Sequence, residues 1–296
     1  MEKLEFKGTL IPIGGNEDKG SGPNEMYTHD FIQQGILANV VKESGGNKAQ
    51  IVVITTASRI PIEVGDNYLQ AFGTLGCESI HIMDIRSRDE AQTSNNLKLI
   101  ENADCLMFSG GDQSEIVKQI GQTKMHELLF RKLYESNFVL AGTSAGAMCM
   151  SHEMISGGSS PDALRKGNLK MKTGMGFVTH AVIDSHFIQR GRFGRLAEAM
   201  AQFPNLLGIG LAEDTAIIIK KSNECRVIGS GMVILFDAKK LTHNKFNILK
   251  NDTPLSIANL TTHILATGDR FNLGDGSIQI LTQEEALMLE SKGNLT

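Results

Sequence analysis

The chain has 296 residues, of which 41% are apolar and 21% are charged. This is the composition of an ordinary globular protein, and it excludes a disordered chain, collagen and a coiled coil. The 29 basic and 33 acidic side chains give a net charge of −4. A protein that binds nucleic acid or an anionic membrane surface needs a basic footprint that this charge does not supply.

The sequence predicts a single cytoplasmic domain that spans residues 1–296. Its longest apolar stretches, such as 231–236, are much shorter than the roughly 20 residues of a membrane-spanning helix. Residues 1–6 lack the apolar core of a signal peptide. No linker or internal repeat divides the chain. Neither a disulfide nor a zinc site is expected, because the four cysteines lie far apart in the sequence, at Cys77, Cys105, Cys149 and Cys225.

The first half of the chain alternates short β-branched runs with longer helix-like stretches. Strands are predicted at 8–13, 51–56, 79–85, 105–108 and 138–141. Helices are predicted at 29–44, 62–75, 89–101 and 113–135. Such alternation is typical of βαβ units, and it predicts a parallel sheet with helices on both faces.

The predicted strands lie closer together from about residue 179. A strand at 181–184 and a helix at about 190–202 are followed by strands at 207–211, 216–220 and 231–236. Short spacing favours hairpins, so the sheet is expected to become mixed towards the C-terminus.

Two segments carry no recognisable regular pattern. Segment 153–177 is rich in Gly, Ser, Lys and Met, and it is expected to form a long loop beside the functional half. Segment 237–296 contains no motif. Its apolar positions are expected to pack in the core or an interface, and they are Leu255, Ile257, Leu260, Ile264 and Leu265.

A serine flanked by glycines, in Gly142-Thr143-Ser144-Ala145-Gly146, follows the predicted strand 138–141. Such a turn between a strand and a helix lifts the serine on a strained backbone, where a substrate can reach it. The helix-compatible stretch 145–152 follows directly, and its first N–H groups can stabilise an oxyanion. The alternative is a glycine-rich turn in which Ser144 caps a helix. The flanking elements favour the nucleophile.

A second glycine turn, Ser109-Gly110-Gly111-Asp112-Gln113, follows the predicted strand 105–108. The carboxyl ends of neighbouring strands in an open α/β sheet meet in one crevice. The N–H of Gly111 or Asp112 is therefore a candidate to complete an oxyanion hole with the N–H of Ala145. An ordinary turn in which Asp112 caps the next helix explains the pattern equally well.

His186 is the best candidate for a general base, because it follows the apolar strand 181–184 and so matches the position of Ser144. An isolated histidine in such a place is more often structural. Glu213 and Asp214 follow the predicted strand 207–211, and either could orient the imidazole. Their spacing does not decide between them.

Three arginines, Arg190, Arg192 and Arg195, follow the candidate base. Guanidinium groups near a nucleophile are suited to binding carboxylates. The alternative is a solvated helix face, but the glycines at 191 and 194 would be poor choices for an ordinary helix.

Together these motifs resemble the cyanophycinases, serine exopeptidases related to the bacterial aspartyl dipeptidases. The motifs stand in the family's order, and they are Gly111-Asp112-Gln113, Gly142-Thr143-Ser144-Ala145-Gly146-Ala147, Asp184-x-His186-Phe187, Arg190-Gly191-Arg192-x-Gly194-Arg195 and Glu213-Asp214-Thr215-Ala216. The resemblance spans roughly residues 14–236.

The resemblance implies a role for each site residue. Ser144 would be the nucleophile, His186 the general base and then acid, and Glu213 its carboxylate partner. Substrate contacts are implied at Gln113, Asp184, Arg190, Arg192 and Arg195, with Ser185 at the neighbouring position. The implied fold is a class I glutaminase-like, flavodoxin-like three-layer α/β sandwich with a mostly parallel central sheet. A homodimer without cofactor or metal is expected.

The implied substrate is cyanophycin, a polyaspartate whose side chains carry arginine through isopeptide bonds, and the implied products are β-Asp-Arg dipeptides. The expected partners are therefore cyanophycin or other β-aspartyl peptides, with neither nucleic acid nor membrane. The family usually has Gln where this chain has Ser185. The missing amide removes a hydrogen-bonding group beside His186, which makes another side-chain preference, such as β-Asp-Lys, a hypothesis to test.

Two other functions are compatible with the residues. An α-aspartyl dipeptidase would share the nucleophile turn and the sheet, but the three arginines and the extension beyond Lys220 argue against it. A non-catalytic protein that binds aspartate-rich peptides would not need Ser144, His186 and Glu213 together. A thiol amidotransferase is disfavoured, since Ser144 stands where that chemistry requires cysteine.

Overall fold

A computed structural model describes residues 5–21, 29–158, 163–221 and 223–282, together with 284, 285 and 288. The strands are β1 (Thr9–Ile13), β2 (Gln50–Ile54), β3 (Ser79–Met83), β4 (Cys105–Phe108), β5 (Val139–Thr143), β6 (Glu153–Gly157), β7 (Lys170–Thr173), β8 (Ala181–Asp184), β9 (Leu207–Leu211), β10 (Thr215–Lys220), β11 (Glu224–Gly229), β12 (Val233–Asp237), β13 (Thr261–Leu265), β14 (Arg270–Asn272) and β15 (Ile278–Gln279). The helices are α1 (Ile36–Glu43), α2 (Pro61–Thr74), α3 (Ser94–Asn102), α4 (Gln113–Ile120), α5 (Lys124–Glu135), α6 (Ala145–Met148) and α7 (Phe193–Gln202).

The central sheet has nine strands, in the order β15-β14-β11-β10-β1-β5-β4-β2-β3. Strands β1 to β5 pair in parallel. Strands β10, β11, β14 and β15 extend the sheet by antiparallel pairing. The parallel strands are apolar on both faces because helices or a second sheet cover them. The structure confirms the predicted α/β sandwich, in which the sheet is parallel in the first half of the chain and becomes mixed towards the C-terminus.

A second sheet, in the order β13-β12-β9-β8, lies outside the central sheet. The sequence predicts one sheet, so the separation of these strands is a correction. These strands form a separate sheet because both faces of that sheet are apolar. One face packs with residues of the central sheet, and the other packs on α7. Helices α1 and α2 cover the opposite face of the central sheet.

Several element boundaries differ from the prediction. The predicted helix 113–135 is two helices, which separate at Gly121 and at Gln122, where φ is +57°. The predicted helices 29–44, 145–152 and 190–202 are shorter and correspond to α1, α6 and α7. The predicted helix 89–101 begins as a 3-10 turn, Glu90–Gln92, and continues as α3 after the Thr93 cap.

The predicted loop 153–177 contains the β6–β7 hairpin. Its outer strand is polar and exposed, so hydrophobic alternation is too weak to indicate a strand there. Of the apolar positions singled out in the C-terminal segment, Leu265 is buried in the core, and Ile257 and Leu260 pack partly buried against α7 and its neighbours. Ile264 is exposed. No helix in the described part of the chain is long and apolar enough to cross a membrane.

Candidate active site

Ser144 occupies a strained turn between β5 and α6, with φ at +52°. Its N–H donates to the carbonyl of Ile13 at 2.9 Å, which fixes the turn to the neighbouring strand β1. A Cβ atom on Gly146 would lie 2.5 Å from the carbonyl oxygen of Phe108. Only glycine therefore allows α6 to approach β4 so closely, and the turn has the geometry of a nucleophile elbow.

His186 lies between Ser144 and Glu213. Its Nε2 is 2.9 Å from Ser144 Oγ, and its Nδ1 is 2.6 Å from Glu213 Oε1. The imidazole and the carboxylate meet because β8 and β9 are parallel neighbours in the second sheet, and each residue follows the end of its strand. Both distances are within the range for proton transfer and orientation in a serine–histidine–carboxylate set.

Asp214, the alternative carboxylate, is engaged elsewhere. It is buried, and its Oδ1 accepts a hydrogen bond from the N–H of Asp18 at 3.1 Å. Burial raises the pKa of Asp214, and this effect outweighs the hydrogen bonds that it accepts. The geometry therefore joins Glu213, and not Asp214, to the imidazole.

The environment of His186 favours its neutral form. Burial is the largest effect and lowers the pKa of the imidazole, and the positive charges of Arg190 and Arg192 lower it further. Glu213 acts in the opposite direction without reversing the shift. A histidine that is neutral at pH 7 can accept the proton of a serine hydroxyl, as a general base must.

The glycine turn after β4 lies against the nucleophile. A Cβ on Gly110 would lie 3.5 Å from that of Ser144. Gly111 has φ at +142°, and a Cβ there would lie 1.9 Å from Ala57 O, so the position requires glycine. The N–H of Asp112 donates to Ala57 O at 2.9 Å. Of the two candidate N–H groups in this turn, Asp112 is thus committed to the backbone of Ala57.

Asp112 caps helix α4, as the alternative interpretation of this turn predicted. Its carboxylate accepts from Ser114 N at 2.8 Å, where α4 begins. Gln113, the first residue of α4, donates through Nε2 to Ile155 O at 2.8 Å. This bond fixes the β6–β7 hairpin beside the glycine turn.

The arginines form a cluster around a buried carboxylate. Asp184 accepts from Arg195 Nε at 2.6 Å, from Arg195 Nη2 and from Arg192 Nη1 at 3.1 Å. Burial, together with the charges of Arg195 and Arg190, lowers the pKa of Arg192 to about 10. Arg190 is exposed.

The predicted substrate contacts Asp184 and Ser185 lie in the interior of the protein. Both residues are fully buried. The Ser185 hydroxyl lies 3.2 Å from Met148 Sδ and 3.2 Å from Arg192 Nη1. Both side chains lie beneath the arginines at this strand end and hold them in position, and their contact with a substrate stays a prediction.

The sequence predicts a tight loop at Gly14-Gly15 after β1, but it assigns no functional role to residues 14–18. Gly15, Asn16 and Glu17 contact the three residues of the candidate catalytic set or their neighbours. The available signal was Gly14-Gly15 after an apolar strand, since β1 and β5 are neighbours and end at the same edge. Within the described ranges, no group of three or more His, Cys, Asp or Glu residues could hold a metal ion.

Sequence and structure comparisons place the chain among known peptidases. It is 35% identical over 267 residues to a cyanophycinase of Trichormus variabilis, covering 90% of this chain and 86% of the relative. It is 32% identical over 270 residues to a cyanophycinase of Geminocystis herdmanii, covering 91% and 95%. The crystal structure of a peptidase from an acI-B1 Actinobacterium has the same fold, with a TM-score of 0.64, 19% identity and coverage of 91% and 98%. Residues 24–226 match the model of peptidase family S51. The chain belongs to peptidase family S51.

Proposed function

We propose that this chain is a serine-type exopeptidase that hydrolyses cyanophycin to β-Asp-Arg dipeptides. The observation that carries the proposal is the hydrogen-bonded series Ser144–His186–Glu213. Relatives named cyanophycinase align with about nine-tenths of this chain, and they support the choice of substrate.

The proposed reaction passes through an acyl-enzyme. Ser144 Oγ attacks the scissile carbonyl carbon while its proton passes to His186 Nε2. Glu213 stabilises the imidazolium that results. The N–H groups of Gly111 and Ala145 hold the oxyanion of the tetrahedral intermediate.

The intermediate collapses when the C–N bond breaks and His186 returns the proton to the leaving amine. Water then attacks the acyl-enzyme with the same imidazole as base, and the carboxylic acid product leaves with Ser144 restored. Each nucleophilic attack, by Ser144 and then by water, requires the neutral imidazole that burial and the arginines favour, and each collapse returns the proton from the imidazolium.

The arginines support a substrate rich in carboxylates. Arg190 and Arg192 act on the charge of His186, so their positive potential extends over the reacting groups. Cyanophycin presents carboxylates at its arginine termini and at the C-terminal end of its backbone, and guanidinium groups bind such groups well. We propose that Arg190 and Arg192, with Gln113, bind the end of the polymer, and that the buried Arg195 holds Asp184 beside Arg192.

The decisive experiment incubates the purified protein with insoluble cyanophycin beside the Ser144→Ala variant, and identifies soluble products by mass spectrometry. Release of β-Asp-Arg by the wild type alone is expected. Release by both proteins would contradict the role of Ser144. Cleavage of an α-Asp-Arg dipeptide without release of β-Asp-Arg from cyanophycin would instead favour an α-aspartyl dipeptidase.

Side-chain preference is tested separately with cyanophycin whose side chains carry arginine and with the same polymer carrying lysine, by comparing the release of β-Asp-Arg with that of β-Asp-Lys. Because Ser185 is buried against Met148 and Arg192, Ser185→Gln is expected to lower the rate on both polymers by a similar factor. A change of preference in the variant would show that residue 185 selects the side chain, as an isopeptidase with an altered preference requires.

The proposal includes the organisation of the protein. Residues 1–296 would form one domain and a homodimer that acts in the cytoplasm on peptides, and not on nucleic acid or membranes. The core that joins the two sheets supports the single domain, and light scattering of the purified protein tests the dimer.

A further inference from the structure

The turn after β1, residues 14–18, holds the imidazole of His186. We call these residues the β1 turn. The carbonyl of Gly14 accepts a hydrogen bond from His186 N at 2.7 Å. Gly15 has φ at +105°, and a Cβ atom there would lie 2.4 Å from His186 Cε1. The ring therefore rests directly on the backbone of the turn, which limits its movement away from Ser144.

The β1 turn also holds the carboxylate. Asn16 Nδ2 donates to Glu213 Oε2 at 3.1 Å, while Glu213 Oε1 contacts His186 Nδ1. The carboxylate has a different donor on each oxygen, so Asn16 fixes its rotation about the terminal bond. The carbonyl of Gly15 accepts from Asp214 N at 2.9 Å, which fixes the backbone next to Glu213.

A third contact reaches the strand that carries the nucleophile. The buried carboxylate of Glu17 accepts hydrogen bonds from Thr143 Oγ1 and from Tyr68 OH, the latter at 2.6 Å. Lys19 Nζ forms an ion pair with it at 2.9 Å. Burial alone would raise the pKa of Glu17, but Lys19 and the two hydroxyls outweigh it, so the pKa lies below its usual value. Thr143 directly precedes Ser144.

We infer that the β1 turn is a positioning element of the peptidase, in which Asn16 orients Glu213 and Glu17 holds the end of β5 beneath Ser144. The inference rests on the proposed function only in taking Ser144, His186 and Glu213 as the reacting set. No residue of the turn needs to touch the substrate.

The charged groups around Ser144, His186 and Glu213 allow the role of Asn16 to be tested through the pH dependence of the reaction. Glu213, Arg190 and Arg192 act on the charge of His186. Glu17 is paired with Lys19. The substitution Asn16→Asp would add a negative charge beside Glu213, and a negative charge near an imidazole stabilises its protonated form.

The first test measures the rate at which a fluorophosphonate probe labels Ser144, as a function of pH, in the wild type and in Asn16→Asp. The acid limb of the labelling curve should move to higher pH by about half a unit to one unit in the variant. Asn95→Asp adds the same charge at an exposed position on α3, and its curve should match that of the wild type. An unmoved limb in a folded Asn16→Asp protein would overturn the role of Asn16.

Asn16→Ala provides a second variant without a new charge. Loss of the amide donor should lower the plateau rate of labelling by about tenfold, because a poorly oriented carboxylate supports the imidazole less well. A plateau equal to that of the wild type would also overturn the role of Asn16.

The Glu17 contact is tested at Thr143 with one variant that lacks the hydroxyl and one that keeps it. Thr143→Val removes the hydroxyl, and kcat should fall about tenfold while KM changes less than about twofold. Thr143→Ser keeps the hydroxyl and should restore most of the rate. Equal kcat values in the two variants would overturn the role of Glu17.

Labelling separates this inference from the proposed substrate, because the probe needs an activated serine but no peptide. A wild-type protein that labels at Ser144 but leaves cyanophycin intact would refute the substrate, and the pH limbs would still decide the inference. A wild-type protein that does not label would overturn the inference as well.

Discussion

Gly15 packs so closely against His186 that a side chain at this position would displace the imidazole. We expect Gly15→Ala to reduce kcat by about 100-fold or more, because the new Cβ would lie 2.4 Å from His186 Cε1 and push the ring out of place. The measurement is steady-state kinetics on the peptide substrate.

Gly45→Ala is the matched control for Gly15→Ala. Gly45 has nearly the same φ, +102°, but nothing lies within 4 Å of its Cβ position. Both variants carry similar backbone strain, so they should lose similar stability on thermal unfolding. Equal activity loss in the two would show that strain, and not the imidazole, explains the effect.

The arginines should be visible in the pH profile of kcat/KM. Burial and the charges of Arg190 and Arg192 lower the pKa of His186. The neutral base therefore persists to lower pH than for a free histidine, and activity is lost as pH falls through this lowered pKa.

Arg190→Gln removes one positive charge, which raises the pKa of His186 and moves the acid limb of kcat/KM to higher pH. Arg131→Gln removes a charge from an exposed pair on α5, and it should leave the limb in place. A limb that moves to lower pH in Arg190→Gln would refute this account of the electrostatics.

The sequence predicts which residues stand at the ends of strands better than it predicts where their side chains point. Ser144, His186 and Glu213 follow the ends of strands that the sequence indicates, and the structure brings the three together. Asp184 and Ser185 stand at the same strand end as His186, but both are buried because they contact Arg192, a partner that strand position alone does not reveal. Asn16 could not be found because its role depends on contact with Glu213, 197 residues away in sequence.

At the scale of elements, the C-terminal segment braces the loop that covers the start of α7. Residues 164–166 pair with residues 252–255 through three backbone hydrogen bonds, of 2.8 to 3.0 Å. Glu198 on α7 is buried and accepts from Leu164 N at 3.1 Å. The loop therefore lies between the C-terminal segment and the helix that carries Arg195.

Lys166 anchors this brace. Its Nζ donates to Leu249 O at 2.7 Å and lies 5.2 Å from the centre of the Phe246 ring. We expect Lys166→Met to lower the free energy of unfolding by about 1–2 kcal/mol and to raise KM more than it lowers kcat. Urea unfolding and steady-state kinetics measure the two effects.

Lys172→Met changes an exposed lysine on β7 and should alter neither the free energy of unfolding nor KM. An unchanged KM in a destabilised Lys166→Met protein would show that the brace supports the fold alone.

The sequence could not predict the brace, since short irregular segments pair here without hydrophobic periodicity. The helix starts at Thr93 and Asp112, in contrast, follow from ordinary capping residues.

The whole molecule depends on how the second sheet packs on the rest of the core. Leu235 on β12 is 1% exposed, and it belongs to the cluster that joins the two sheets. We expect Leu235→Ala to lower the free energy of unfolding by about 2–5 kcal/mol. It should also lower kcat, because His186 and Glu213 follow strands of this sheet while Ser144 follows a central strand.

Leu69→Ala removes the same atoms from α2 at a position that is 39% exposed. It should cost less than about 1 kcal/mol and leave kcat unchanged. If Leu235→Ala loses stability but keeps the wild-type kcat, the second sheet does not set the distance between Ser144 and His186.

The division of the reacting groups between two sheets has a consequence for biosynthesis. The ribosome makes Ser144 before His186 and Glu213, and β13, which completes the second sheet, comes later still. A partly made chain therefore carries a nucleophile without its base. The reacting set can therefore assemble only after the ribosome has passed Glu213 and the second sheet has packed against the central one.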